Sequence, residues 1–248
     1  MVAVFSWYNA SGENMKLRDF KYFFKKHQVT VKNVKVVGDD FRLIEFEIPK
    51  GLEWRAGQHG FFSFGESYSD AKKEYPYSIS SIQSEGVLRI AVKIYPPLNG
   101  YKEKMMSLQQ GDKVTMRGPV GPVTLQDSYS PVVAIAGGIG ITPIRALLKQ
   151  TVHHHEDQIF HLIYSSEQEY IYEEDLKELI KNYPTASIDF VRGLDDPKEL
   201  TLADVKKYGN KAYYYISGSK RMILAYEKML QAEGILKKRI FRDPFYRF

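Results

Sequence analysis

The chain has 248 residues, of which 44% are hydrophobic, and its 35 lysines and arginines exceed its 30 aspartates and glutamates to give a net charge of +5. This length suits one large domain or two ordinary ones, and the charge is spread too evenly to indicate a nucleic-acid partner. Because the chain contains no cysteine, disulfides, thiolate iron–sulfur clusters and a cysteine nucleophile are excluded, so redox chemistry would require an organic cofactor. The sequence lacks a signal peptide and a membrane-spanning apolar run, which predicts a cytoplasmic protein.

Residues 1–28 form a predicted N-terminal extension. Its segment Lys16–Lys26, KLRDFKYFFKK, mixes aromatic and basic residues, so it is compatible with docking on a membrane surface or a partner, or with packing on its own domain. Residues 29–128 consist of short β-rich runs separated by turn signals such as Pro49-Lys50-Gly51, with one helix at Tyr101–Gln109. This pattern predicts an antiparallel, six-stranded β-barrel.

Residues 129–248 alternate predicted strands and helices, and the domain boundary falls near Asp127–Pro131. The strand sequences are VVAIA, IFHLIY, SIDFVRG, AYYYIS and a terminal KRIFRDPF, and predicted helices begin at Pro143, Glu173, Leu202 and Lys220. Such alternation is typical of βαβ units and predicts a doubly wound, mostly parallel sheet. The predicted fold class is therefore a β-barrel followed by an α/β domain.

The stretch Pro131–Pro143, PVVAIAGGIGITP, predicts a buried strand, a glycine turn and a helix. The turn contains Gly137, Gly138 and Gly140. Thr142 is the predicted N-cap and Pro143 the first helical residue. Glycines let the backbone approach a ligand, and a helix N-terminus attracts an anion such as a pyrophosphate. The alternative is an ordinary glycine turn of an α/β unit.

Small and hydroxyl-bearing residues follow three of the predicted parallel strands, at Gly137–Thr142, Ser165-Ser166 and Ser217-Gly218-Ser219. In an open parallel sheet, ligands bind beyond these carboxyl ends. The pattern favours an extended ligand such as a dinucleotide, although loops of this kind are rich in Ser and Gly in any case. The adjacent residues His153-His154-His155 point in different directions on a helix and cannot share an ion, so no metal site is expected.

Six motifs in chain order resemble those of the ferredoxin-NADP reductase-like flavoproteins. They are Trp54–His59, Tyr77–Ser81, Gly118–Gly121, Gly137–Pro143, Ser217–Ser219 with Met222, and Asp243–Phe245. Tyr75 stands where the family usually has an arginine, and the sequence YPYS most resembles the branch of membrane ferric reductases and NADPH oxidases. The resemblance implies an oxidoreductase that passes hydride from NADH or NADPH to flavin N5. Electrons would then pass to an external acceptor such as a ferric chelate, free flavin, quinone or redox protein.

The resemblance also implies roles for individual residues. Ser78 would offer a hydroxyl near flavin N5, Ser217 would stand beside the nicotinamide in place of a cysteine, and Asp243 would relay a proton unless it is a surface acid. The flavin, FAD rather than FMN, would contact residues of the barrel, with the Tyr77 ring on the isoalloxazine: His59, Tyr75, Tyr77, Ser78, Ile79, Lys93, Ile94, Tyr95, Gly100, Tyr101 and Lys102. The second domain would bind the dinucleotide and cover the flavin with Gly137, Gly138, Gly140, Thr142, Pro143, Ser165, Ser166, Gly218, Ser219, Met222 and Phe248.

The choice between NADH and NADPH rests on Glu167, which follows Ser165-Ser166 where NADP-specific members carry a basic residue. Its carboxylate would repel a 2′-phosphate and favours NADH, whereas Lys220 and Arg221 offer compensating charge. Two alternatives to an independent enzyme stay open. One is a flavin-holding electron-transfer or regulatory subunit with little activity alone, and the other is a degenerate fold that has lost flavin.

Overall fold

A computed structural model of the chain describes residues 24–38, 40–64, 74–93, 100–155, 157–167, 169–192 and 196–243. Three predicted cofactor-binding residues, Ile94, Tyr95 and Phe248, lie outside these ranges, as does most of the Lys16–Lys26 segment. Within the described part of the chain, no helix is both long and apolar enough to cross a membrane.

The first unit is the predicted antiparallel barrel. Its strands are β1 (Lys26–Val37), β2 (Phe41–Phe46), β3 (His59–Ser63), β4 (Tyr75–Ser78), β5 (Leu88–Lys93) and β6 (Lys113–Val120), in the sheet order β4-β3-β6-β1-β2-β5. An antiparallel bridge between Ile79, just after β4, and Ile90 of β5 connects the two outer strands and closes the sheet into a barrel. Helix α1 (Gly100–Met106) is shorter than the sequence predicted.

The second unit is the predicted doubly wound sheet. Its elements are β7 (Val132–Gly137), α2 (Ile141–His154), β8 (Phe160–Ser165), α3 (Glu173–Ile180), β9 (Ala186–Val191), α4 (Asp196–Tyr208), β10 (Tyr213–Ser217), α5 (Lys220–Ala232) and β11 (Ile240–Arg242). All pairs are parallel, in the order β11-β10-β7-β8-β9. Apolar side chains from both faces of the sheet pack against helices, which explains the unbroken apolar strands in the sequence.

Two local predictions were wrong. Helix α4 begins at Asp196 rather than Leu202, because Pro197 fits the first helical turn without losing a hydrogen bond. Thr142 is not the N-cap of α2: the helix begins at Ile141 after a short 3₁₀ turn, and Gly140 holds the cap position. The Thr142 hydroxyl instead donates to the Ile139 carbonyl at 2.6 Å. No side chain therefore caps the first turn of α2.

The barrel and the parallel sheet share one apolar core. Phe41, Leu43 and Ile82 of the barrel are buried in the same cluster as Ile144 and Leu147 of α2. A β-carbon at Gly57 would overlap the Val123 carbonyl oxygen, so the link between the units also packs closely on the barrel. The two units consequently meet across a dehydrated surface rather than through a loose linker.

His161 of β8 lies between two carboxylates on the α4 side of the sheet. Its Nδ1 is 2.6 Å from Asp204 of α4, and its Nε2 is 2.9 Å from Asp189 of β9. Burial alone would lower the pKa of His161, but hydrogen bonds and charge attraction from Asp204 and Asp189 outweigh it and raise this pKa. The protonated ring therefore ties α4 to the edge strand.

We expect His161→Gln to destabilise the protein more in weak acid than in base. Because the pKa is raised in the folded state, the ion pairs stabilise it fully below the unfolded pKa of about 6.5 and lose effect as pH rises through the folded pKa. Urea unfolding near pH 6 should show a loss of about 1–3 kcal/mol, and a smaller loss near pH 9. Exposed His154→Gln is the control, and an equal loss for His161→Gln at both pH values would contradict the interpretation.

Candidate functional site

The three residues predicted to be catalytic meet at the boundary between the two units. Asp243 follows β11, and its main-chain N–H donates to the Ile216 carbonyl of β10 at 2.9 Å. Its carboxylate oxygen Oδ2 accepts hydrogen bonds from Ser217 Oγ at 3.0 Å and from Ser78 Oγ at 3.1 Å. Ser78 belongs to the barrel and Ser217 to the parallel sheet. The carboxylate therefore bridges the two predicted cofactor domains.

This cluster is nearly dry, since Ser78 is 8%, Ser217 1% and Asp243 6% exposed. An ionised carboxylate accepts hydrogen bonds only, so both serine protons are directed at it. Each serine oxygen then keeps lone pairs with which it can accept a hydrogen bond from a ligand. The arrangement can orient a ligand on both sides of the boundary and hold a proton at Asp243.

The register of the parallel strands gathers the predicted dinucleotide loops at one edge. Ala136 pairs with Ser217 of β10, and its neighbour Gly137 pairs with Ser165 of β8. The Ser166 hydroxyl donates to the Glu169 carbonyl at 3.0 Å, which folds the loop after β8 back on itself. The three strand ends predicted from the sequence thus lie side by side, as a ligand that crosses the sheet edge requires.

The glycines of the turn differ in what surrounds them. A β-carbon at Gly140 would overlap the Ser217 carbonyl oxygen, and one at Gly137 would overlap the Met222 sulfur, which also lies against Gly218. Gly138 has a φ of +53° and would direct a β-carbon into open space. The backbone at Gly138 is therefore accessible to a phosphate group, whereas Ile141 and Thr142 at the start of α2 are buried.

The other predicted residues of this edge have mixed environments. Thr142 is 3% exposed, and Pro143 beside it is also buried. Ser219 caps α5, because its Oγ accepts from the Met222 N–H at 3.3 Å. Ser165 and Met222 are partly exposed. Ser219 and Met222 consequently fix the turn after β10, and Ser165 keeps a surface that a ligand can reach.

On the barrel side, Tyr75 and Tyr77 are half-buried neighbours of the fully enclosed Tyr101. The Tyr75 and Tyr101 rings stack with centroids 4.0 Å apart, and Tyr77 packs edge-on against Phe62 at 5.8 Å. The Tyr101 hydroxyl donates to the Phe62 carbonyl at 3.0 Å. Burial raises the pKa of Tyr77 and of Tyr101, so both phenols stay neutral. Tyr75 and Tyr77 offer partly accessible aromatic surface that fits a flavin ring.

Two further barrel residues are buried. The His59 ring packs against Gly121, and desolvation, helped by the charge of Arg117, lowers the pKa of His59 to about 3 and keeps it neutral. Ile79 is fully buried, and its N–H donates to the Gln58 carbonyl at 2.8 Å. The roles of both residues toward a flavin remain predictions.

The remaining barrel residues lie toward the start of α1 and the end of β5. Gly100 is exposed and Lys102 half-buried on α1. Lys93 ends β5 with its ammonium 5.1 Å from the Phe41 ring centroid. Because the side chain of Tyr101 is buried in the barrel core, only the main chain of Tyr101 is left for a phosphate group at this helix.

Sequence reasoning missed one cluster at the same boundary, centred on Arg145 of α2. Arg145 is 1% exposed and pairs with Glu85 of the barrel and Asp175 of α3. A signal was present in the sequence, since Arg145 falls on the face of α2 that carries Ile141, Ile144 and Leu148. In the described residues, no group of three or more acidic or histidine side chains is arranged to hold a metal ion.

Residues 28–125 match the family model of the oxidoreductase FAD-binding domain, and residues 134–228 match that of the oxidoreductase NAD-binding domain. With the fold described above, these matches assign an FAD-binding domain to the barrel and an NAD-binding domain to the parallel sheet. The chain belongs to the ferredoxin-NADP reductase-like family.

The chain is 23% identical over 187 residues to the toluate 1,2-dioxygenase electron transfer component of Pseudomonas putida, a match that covers 68% of this chain and 53% of that protein. It is 33% identical over 129 residues to the plasma membrane-associated coenzyme Q6 reductase of Saccharomyces cerevisiae, covering 49% and 41%. It therefore spans about half the length of the curated relatives that it matches. A variant of ferredoxin-NADP+ reductase from Plasmodium falciparum shares the fold, with a TM-score of 0.73, 20% identity and coverage of 88% and 95%.

We expect Gly140→Ala to destabilise the protein by about 1–3 kcal/mol, because the added methyl would force the turn away from the Ser217 carbonyl. Gly137→Ala is the matched control, since there the methyl meets the end of the flexible Met222 side chain. Urea unfolding measures both. If Gly140→Ala is no less stable than Gly137→Ala, the close packing of the two loops is wrong.

Proposed function

We propose that the chain is an NAD(P)H-dependent FAD reductase that delivers electrons to an external acceptor. Residues 29–128 would hold the flavin and residues 129–248 the dinucleotide. When bound, NAD(P)H supplies a hydride and FAD converts it into electrons that can leave singly. The observation that carries this proposal is the bridge from Ser78 through Asp243 to Ser217, because it joins the flavin strand to the nicotinamide loop at one buried point.

The protein residues would act by orientation, exclusion of water and proton handling. Tyr77 would pack on the flavin ring, and the main chain of the glycine turn at Gly138, just before α2, would bind a pyrophosphate. Ser78 and Ser217 would orient the two ring systems through the lone pairs that Asp243 leaves free. Asp243 would hold the proton that accompanies the electrons, as a carboxylate within hydrogen-bond reach of both serines can do.

The absorption spectrum of the purified protein, supplied with FAD, tests this function. We expect a yellow flavoprotein whose visible band bleaches when NADH is added without oxygen. Asp243→Asn keeps the size of the side chain but cannot hold the proton that leaves the reduced flavin with its electrons, so oxidation of the reduced flavin by ferricyanide should slow by roughly tenfold or more while FAD is retained. A protein that stays colourless with added FAD would overturn the proposal and support a degenerate fold.

A second candidate is an electron-transfer subunit that depends on a larger assembly. It is supported by the name of one relative, which is an electron transfer component. Steady-state NADH oxidation with ferricyanide separates the candidates. Rapid turnover favours the independent enzyme, whereas flavin reduction over minutes favours the subunit. The names of the relatives point to a redox protein or a quinone as the natural acceptor.

NADH is the proposed hydride donor. Exposed Glu167 follows the strand that ends at Ser165, and its negative charge opposes a 2′-phosphate. The exposed cations Lys220 and Arg221 begin helix α5, and Arg192 follows β9 with its guanidinium 5.8 Å from the Tyr170 ring. The proposal assigns the preference to Glu167 because it lies in the loop directly after β8.

We expect Glu167→Lys to raise the kcat/KM ratio of NADPH to NADH by roughly tenfold or more, which corresponds to about 1.4 kcal/mol. Glu174→Lys is the control, because it makes the same charge change on α3 at a side chain that is 90% exposed. Steady-state kinetics with both nucleotides give the ratio. If the two variants shift it equally, net charge rather than Glu167 sets the preference.

A further inference from the structure

Arg145 is the largest side chain that is fully buried among the described residues. It lies on α2 one residue after Ile144 and one helical turn after the glycine loop. Taking a guanidinium out of water is costly unless every donor finds an acceptor. The hydrogen-bond acceptors around Arg145 therefore indicate the role of its charge.

All five N–H donors of Arg145 are used. Nη1 donates to the Ser80 carbonyl at 2.7 Å and to Glu85 at 3.0 Å. Nη2 donates to Glu85 at 2.9 Å and to Asp175 at 3.0 Å, and Nε donates to Asp175 at 2.6 Å. The planar guanidinium group thus binds the carboxylate of Glu85 in the barrel and that of Asp175 on α3, each through two hydrogen bonds.

Tyr172 completes the cluster from the loop after β8. Its ring centroid is 5.3 Å from the Arg145 guanidinium carbon, and its hydroxyl is 2.9 Å from Ser80 Oγ. Tyr172 has a φ of +68°, a left-handed conformation that bulky residues rarely adopt. The surrounding contacts hold this strained residue in place.

The cluster connects the elements that the proposed reaction must align. Ser80 lies two residues after Ser78, which ends the flavin strand β4; α2 begins at the glycine loop, and Tyr172 follows the Ser165-Ser166 loop. Apolar packing already holds the units together, but it is non-directional and tolerates sliding. Hydrogen bonds from a rigid guanidinium group do not tolerate sliding, because they weaken steeply with distance and angle.

We propose that Arg145 is a positioning residue that sets the distance between the flavin strand and the dinucleotide loop. This inference rests on the proposed function. Arg145 then controls the rate of hydride transfer rather than the affinity for FAD or nucleotide. A displacement of about 1 Å between reacting groups can cost a hundredfold in rate.

The test compares Arg145→Lys with Arg89→Lys in the FAD-loaded protein. Lysine keeps the positive charge at position 145 but lacks the planar guanidinium group with its five hydrogen-bond donors. Arg89 pairs with the same Glu85 at 3.0 Å and with Glu45 at 2.8 Å, entirely within the barrel. Stopped-flow flavin reduction by NADH should fall by roughly tenfold or more in Arg145→Lys, with FAD content and NAD+ affinity unchanged. Arg89→Lys should match the wild type.

Amide hydrogen exchange of the FAD-free protein provides the readout that does not depend on activity. Faster exchange at residues 78–85 and 141–148 in Arg145→Lys alone supports the proposal. Should the wild type fail to reduce flavin, the proposed function is wrong, and this exchange pattern still decides whether Arg145 ties the two units together. If Arg145→Lys does not fold, Tyr172→Phe, which removes only the hydroxyl next to Ser80, is measured instead. Unchanged exchange, an equal rate loss in Arg89→Lys, or a loss confined to KM overturns the proposal.

Discussion

The structure depends on one buried cation between two folding units. Apolar burial brings the barrel and the parallel sheet together, but it is proportional to area and does not select one orientation. Arg145 adds direction, because its five donors are satisfied only when Ser80, Glu85 and Asp175 occupy fixed positions. Replacing a buried ion cluster by apolar side chains is often neutral for stability. A cluster of this kind is therefore better explained by the geometry that it imposes than by the stability that it adds.

That geometry determines the environment of the candidate site. The parallel register aligns the ends of β7, β8 and β10, and the return of the chain through β11 brings Asp243 against Ser217. The bond from Ser78 then crosses from the barrel to the same carboxylate. Because these groups are almost fully buried, water competes little for their hydrogen bonds, and electrostatic interactions there are stronger than at the surface. Such a site suits a reaction in which two cofactor rings must be aligned and kept dry.

Two residues that depart from the family pattern, Tyr75 and Ser217, make specific contacts in the folded protein. Tyr75 stands where the family usually has an arginine, and its ring stacks on Tyr101, so aromatic packing takes the place of a charged side chain. Ser217 replaces a cysteine and donates to Asp243, a hydrogen bond that a thiol would make only weakly. Ser217 consequently gives the Asp243 carboxylate a stronger hydrogen-bond donor than a cysteine would.

The sequence by itself determined the two-unit architecture and the glycine turn, because period-two runs, glycines and alternating strand and helix patterns are local signals. The resemblance of its motifs to a known family indicated Ser78, Ser217 and Asp243. It could not define the cap of α2 or the start of α4, where a 3₁₀ turn and a tolerated Pro197 changed the boundaries. The tertiary structure alone decided the pairing of Arg145 with Glu85, 60 residues away. Contacts between distant segments depend on how whole elements pack, and no local preference of either residue specifies them.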